Sequence, residues 1–156
     1  MNATELFFST IQSGNIENIK LQLANNPEVV NAKDVRGFTP LIFAAYFDKE
    51  LIAKVLIEHK APIDAKDASG NTALMGVCFK EYMKLASYLI KHGANVNVSN
   101  TNGTTPLIFS VMYNKLKSVE LLLKHDADSS VKDNDQKTAL DYAVEKKFEA
   151  IEALLK

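Results

Sequence analysis

One phrase recurs along the chain at a spacing of 33 residues, with neither insertion nor deletion between copies. It reads DVRGFTPLIFAA from Asp34, DASGNTALMGVC from Asp67, NTNGTTPLIFSV from Asn100 and DNDQKTALDYAV from Asp133. A fixed period of this length demands a stacked array of small units. No unit of that kind buries its own apolar face without a neighbour. The core expected is therefore a ribbon running between units rather than a sphere.

The stretch from Asp34 to Lys66 shows how one unit is built. Asp34-Val35-Arg36-Gly37 reads as a turn, because an Asp side chain bonds its own backbone and Gly tolerates positive φ. Thr39-Pro40 opens a helix: the hydroxyl caps it and the ring suits the first helical position. Leu41, Phe43, Ala44 and Ala45 follow in a short first helix whose small residues permit close packing. A second helix is expected from about Lys49 to His59, with Ile52, Val55 and Leu56 on one face, and Pro62 ends it. The apolar positions form columns down the array. Leu41, Leu74, Leu107 and Leu140 are one; Val55, Tyr88, Leu121 and Leu154 another; Leu56, Leu89, Leu122 and Leu155 a third.

A turn, two helices and a DxxGxTPL signature on this period resemble the ankyrin repeat, and GANVNV from Gly93 to Val98 is similar to that family's GADVNA linker. The resemblance runs from Met1 to Lys156 and implies an all-α ankyrin-repeat solenoid of stacked helix-turn-helix units with β-hairpin turns. It further implies a single domain over 1–156: an N-terminal capping repeat at 1–33, full repeats at 34–66, 67–99 and 100–132, and a C-terminal cap at 133–156. The family's short first helices line a concave face. Several positions depart from its pattern. The usual His after TPL is Ile42, Met75, Ile108 and Asp141. Gly76 stands in a column that otherwise holds Phe43, Phe109 and Tyr142, so large neighbours or a ligand should use the space. Lys60 and Asp126 replace the Gly93-type helix end, and Gln136 replaces the hairpin Gly. Each such non-Gly left-handed residue costs roughly 1–2 kcal/mol.

Composition narrows the function classes. Formal net charge is −1, and Arg36 is the sole arginine among 18 basic residues, so neither nucleic acid nor a phosphate grip is expected. Cys78, the single cysteine, forms no internal disulfide and, in the column of Ala45, Val111 and Val144, reads as an inert core thiol. MNATELFFST does not read as a signal peptide, and no stretch approaches the ~20 apolar residues of a membrane span. A soluble cytoplasmic monomer is the expectation. The lysine bias resembles that of small bacterial ankyrin proteins.

Candidate chemistry mostly dissolves into the repeat. His59, His92 and His125 recur at the same period. Packed helices lie ~8–10 Å apart, whereas ligands of a shared zinc each lie about 2.0–2.1 Å from it; the histidines therefore read as helix ends, where a cation suits the dipole. Asp34, Asp67, Asn100 and Asp133 occupy one turn position and read as scaffold, since a repeated environment does not split carboxylate pKa values. No phosphate loop, HExxH helix or GxSxG elbow is present. Neither an enzyme nor a cofactor is expected.

What rises above scaffold is a run of aromatics at the positions after each first helix: Tyr46-Phe47, Phe79-Lys80, Met112-Tyr113 and Glu145-Lys146. In the family these positions, with the residues flanking the hairpin Gly, contact partners. The resemblance thus implies a partner-binding set of Arg36, Phe38, Tyr46, Phe47, Asn71, Phe79, Lys80, Asn102, Met112, Tyr113 and Lys146. Exposed rings in a continuous patch mark recognition surfaces, although a lone ring there more often shields the core. The leading expectation is a non-catalytic interaction module that seats a partner protein in its concave groove. Two alternatives use the same face. One is an auxiliary protein that holds a small apolar or planar ligand for a partner enzyme, motivated by the missing ring at Gly76 beside Phe43, Phe79 and Met112. The other is an inhibitor or immunity-type protein that plugs an active site.

Overall fold

The computed structural model describes residues 1–156 and contains helices and turns without a strand. Helices α1 (Ala3–Ser13) and α2 (Ile16–Asn25) come first, followed by a short 3₁₀ helix at Pro27–Asn31. Then come α3 (Pro40–Tyr46), α4 (Glu50–Glu58), α5 (Ala73–Lys80), α6 (Met83–Lys91), α7 (Pro106–Met112), α8 (Leu116–Lys124), α9 (Ala139–Glu145) and α10 (Glu149–Leu155). The first helices of successive units pack in a row, α1 on α3, α5, α7 and α9, while α2 meets α4 and α6, α8 and α10 stack behind.

Local chemistry starts each unit in the same way. Thr39, Thr72, Thr105 and Thr138 each accept the N–H three residues on, at 3.2–3.4 Å. In the last unit Asp141 also accepts the Thr138 N–H at 2.8 Å, so its departure from the family's His completes a capping box. Each turn is closed by the Asx side chain that opens it: the Asp34, Asp67, Asn100 and Asp133 Oδ1 atoms accept N–H groups two and four residues on. The expected β-hairpins are reduced to these turns. Two backbone bonds close each one, such as Asp34 N–H to Phe38 O at 3.0 Å and Gly37 N–H to Asp34 O at 2.9 Å, which is too little ladder for a strand. Successive tips are tied instead by Ala68 N–H to Arg36 O, Thr101 N–H to Ser69 O and Asn134 N–H to Asn102 O, at 3.0–3.2 Å.

Those ties explain the glycine pattern. A Cβ on Gly37, Gly70 or Gly103 would lie 2.6–2.7 Å from an atom of the next tip. Gln136 has positive φ (62°) like them, but no tip packs against it within residues 1–156, so only the modest backbone penalty remains. Lys60 and Asp126 are also left-handed, and at the equivalent Gly93 a Cβ would meet nothing within 4 Å. A further left-handed set, Asp48, Glu81, Asn114 and Lys147, lies between the two helices of each unit and escaped the sequence reading because none of the four is Gly.

Burial follows the columns in the middle and fails at the end. Leu41, Leu74 and Leu107 are each 1% exposed, whereas Leu140 is half-buried and Leu154 exposed. Val144 likewise departs from its expected place in the tight column of Ala45, Cys78 and Val111: it is 50% exposed, because no helix within residues 1–156 packs over it. Cys78 itself is fully buried, and burial pushes its thiol up to about 12 against the opposing hydrogen bonds of Ser110 and Ser118. At pH 8 its alkylation should run roughly a thousandfold slower than that of a free thiol, reaching completion only after denaturation. Rapid labelling of the native protein in a thiol-reagent assay would show that this packing is wrong.

Candidate functional site

The residues after the first helices gather into two aromatic clusters separated by a cleft. In the first, Phe47 lies 4.8 Å from Phe43 and 5.2 Å from Tyr46, Tyr46 6.0 Å from Phe38, and Phe43 5.5 Å from Phe8. In the second, Phe79, Phe109 and Tyr113 form a triangle with ring centroids 5.1–5.8 Å apart. These separations are those of edge-to-face and tilted pairs, which hold rings rigidly. Phe47 and Tyr113 remain 44% and 49% exposed.

The cleft encloses about 420 Å³ and is lined by Arg36, Phe38, Ile42, Tyr46, Asp67, Asn71, Thr72, Ala73, Met75, Gly76, Phe79, Phe109 and Tyr113. It exists because Gly76 lacks the ring of its column. The neighbours differ from those expected: Phe43 and Met112 do not line it, since Phe43 turns toward Phe8 and Met112 packs on the core. Tyr46 leans in instead, its Cδ2 3.6 Å from where a Gly76 Cβ would stand, without closing the space.

Charge is arranged around the rings. The Arg36 guanidinium donates through Nε and Nη2 to Asp34 Oδ2 at 3.1 and 2.7 Å and lies 4.2 Å over Phe38, so one face is spent on its own hairpin. Lys80 Nζ is 4.7 Å over the Tyr46 ring, and Lys115 Nζ 5.2 Å over Phe79. Cation–π contacts of this kind contribute about 0.5–1 kcal/mol at exposed sites and fix the lysine stems against the ring faces.

Of the residues singled out in the sequence, Arg36, Phe38, Tyr46, Asn71, Phe79 and Tyr113 line the cleft, with Phe47 and Lys80 on its rim cluster. Asn102 is a turn residue whose N–H goes to Asn100 Oδ1 at 2.9 Å. Met112 is half-buried, and Lys146 is exposed as the C-cap of α9. The sequence reading passed over Phe109, Ile42 and Asp67, all cleft residues, by treating their columns as core or scaffold.

No set of His, Cys, Asp and Glu side chains converges on a common point. His59 and His92 cap α4 and α6, each Nδ1 facing the carbonyl four residues back at 2.8 and 2.9 Å and so carrying the hydrogen. No helix is long and apolar enough to cross a membrane.

A family model described as ankyrin repeats (3 copies) matches residues 6–100 and 78–156. Comparison with curated protein sequences returned no match. Repeats of this kind generally mediate protein–protein interactions, and proteins built from them are typically non-catalytic. The recurring capped turn, the paired helices and the family match converge: this chain belongs to the ankyrin-repeat family.

Proposed function

We propose that the protein is a non-catalytic interaction module that grips one partner protein on the face formed by the hairpin tips and first helices. The observation that carries this reading is the pair of braced aromatic clusters, with Phe47 and Tyr113 half exposed on either side of the Gly76 cleft. Rings held by their neighbours lose little freedom on binding, and such anchors supply much of an interface's energy. The remaining candidates, Asn102, Met112 and Lys146, do not line the cleft and contribute less.

Affinity capture from the native cell tests the reading. The intact chain should retain a partner that a Phe47→Ala/Tyr113→Ala double variant loses, while Tm moves by less than about 4 °C. Undiminished capture by the double variant would remove the groove from the account. A collapse of Tm would reassign both rings to the core.

The cleft itself supports a second reading, in which it holds a small planar ligand. Native mass spectrometry of the purified chain distinguishes the two: a bare mass alone rejects a resident ligand.

A further inference from the structure

Within each unit, the second carboxylate or amide atom of the turn Asx residue has its own fate. Asp34 Oδ2 is taken by Arg36, Asn100 Nδ2 donates to Asn71 Oδ1 at 2.9 Å, and Asp133 Oδ2 accepts the Tyr142 hydroxyl. Asp67 breaks the series. Its Oδ1 closes the turn through the Ser69 and Asn71 N–H groups, whereas Oδ2 of this half-buried residue has no donor within the chain and is open to solvent. The neighbour that serves Asn100, one unit back, is for Asp67 the apolar ring of Phe38. The ring that serves Asp133, nine residues on, is for Asp67 the missing side chain of Gly76. Asp67 and Gly76, where the ring is absent, thus both line the same cleft.

The last unit shows what the pair accommodates. Tyr142 is buried, 8% exposed, with its hydroxyl on a carboxylate that is itself 5% exposed. Burial works to raise the Asp133 pKa, yet the Tyr142 hydroxyl and the Lys137 and Asp135 N–H groups hold it below the ordinary carboxylate value. Burial and the same carboxylate push the Tyr142 phenol up. A neutral phenol donating to an ionised carboxylate is therefore the favoured state of this geometry. In the unit of Asp67 the phenol is lacking, while ring partners stand ready: Tyr46 faces Gly76, and Phe79 is braced by Phe109 and Tyr113.

We propose that the Gly76 cleft receives a tyrosine side chain of the partner polypeptide, its ring seated on Gly76 beside Tyr46 and its hydroxyl donated to Asp67 Oδ2. The incoming residue supplies in trans what Tyr142 supplies within the last unit. The proposal rests on the groove reading above and adds the chemistry of the anchor. A phenylalanine would fill the cleft but leave the carboxylate without its donor, and a carboxylate side chain would be repelled by it.

The test uses the full chain and N-acetyl-tyrosinamide, followed by amide chemical shifts. The probe should move the resonances of Asp67, Asn71 and Gly76 with a dissociation constant on the order of 1 mM. N-acetyl-phenylalaninamide should bind about tenfold more weakly, the loss of one charge-assisted hydrogen bond. D67N should erase that preference while keeping the turn, because Asn100 already builds the same turn with an amide. Gly76→Tyr should refill the column, abolish probe binding and raise Tm by roughly 2–4 °C. Equal affinity for the two probes, a preference that survives D67N, or no shift at Gly76 each overturns the tyrosine slot. Those outcomes leave the groove standing if the Phe47/Tyr113 variant still loses its partner; undiminished capture by that variant removes the groove whatever the probe does.

Discussion

Replacing Leu107 with alanine should lower the unfolding free energy by about 2–5 kcal/mol, the range for a buried leucine that leaves a cavity. Leu107 is 1% exposed at the middle of its column, on α7, which packs against both α5 and α9. A stacked array is held by nearest-neighbour interfaces, and a cavity here weakens two of them together. Leu140→Ala is the natural comparison. That residue sits in the same column but is only half-buried, since α9 has no first helix beyond it, so its loss should be markedly smaller. Equilibrium denaturation of both variants decides the matter. A cost below about 1 kcal/mol at Leu107, or equal costs at the two positions, would mean that the column does not carry the stack.

Gly70→Ala should cost roughly 2–4 kcal/mol, although it adds a single methyl group to a turn. Part of the penalty is the left-handed backbone, φ 81° at Gly70, worth about 1–2 kcal/mol for any L residue. The rest arises because the new Cβ would stand 2.7 Å from Thr101 N, whose N–H donates to Ser69 O at 3.1 Å. The tips must separate, and that bond is lost. Gly93→Ala isolates the first contribution: φ there is 103° and a Cβ meets nothing within 4 Å, so only the backbone strain applies. If the two alanine variants melt alike, the tips do not press on one another and the stacking of the turns is wrong.

Much of the architecture was legible because it depends on neighbours a few positions away. Thr caps and Asx turns need only local hydrogen bonds and fixed dihedrals. Repetition of the phrase then required the units to stack. Less could be read where a residue answers to another unit. Asp141 looked like a departure from pattern and proved to be half of a capping box. Gln136 looked like a defect, yet the glycine it replaces is needed only beneath a following tip. Val144 followed its column in sequence but not in burial.

The candidate site divides along the same line. Residue order placed rings after the first helices, and Phe47 and Tyr113 are found half exposed there. The direction in which each ring leans was settled in space: Phe43 toward Phe8, Tyr46 over Gly76, Phe79 against Phe109. Period, helices and capped turns were thus determined by the chain alone, because local bonds and a repeated apolar pattern admit one arrangement. The cleft, and the carboxylate left free within it, were decided only by packing, because a side chain turns toward whatever the adjacent unit leaves unfilled.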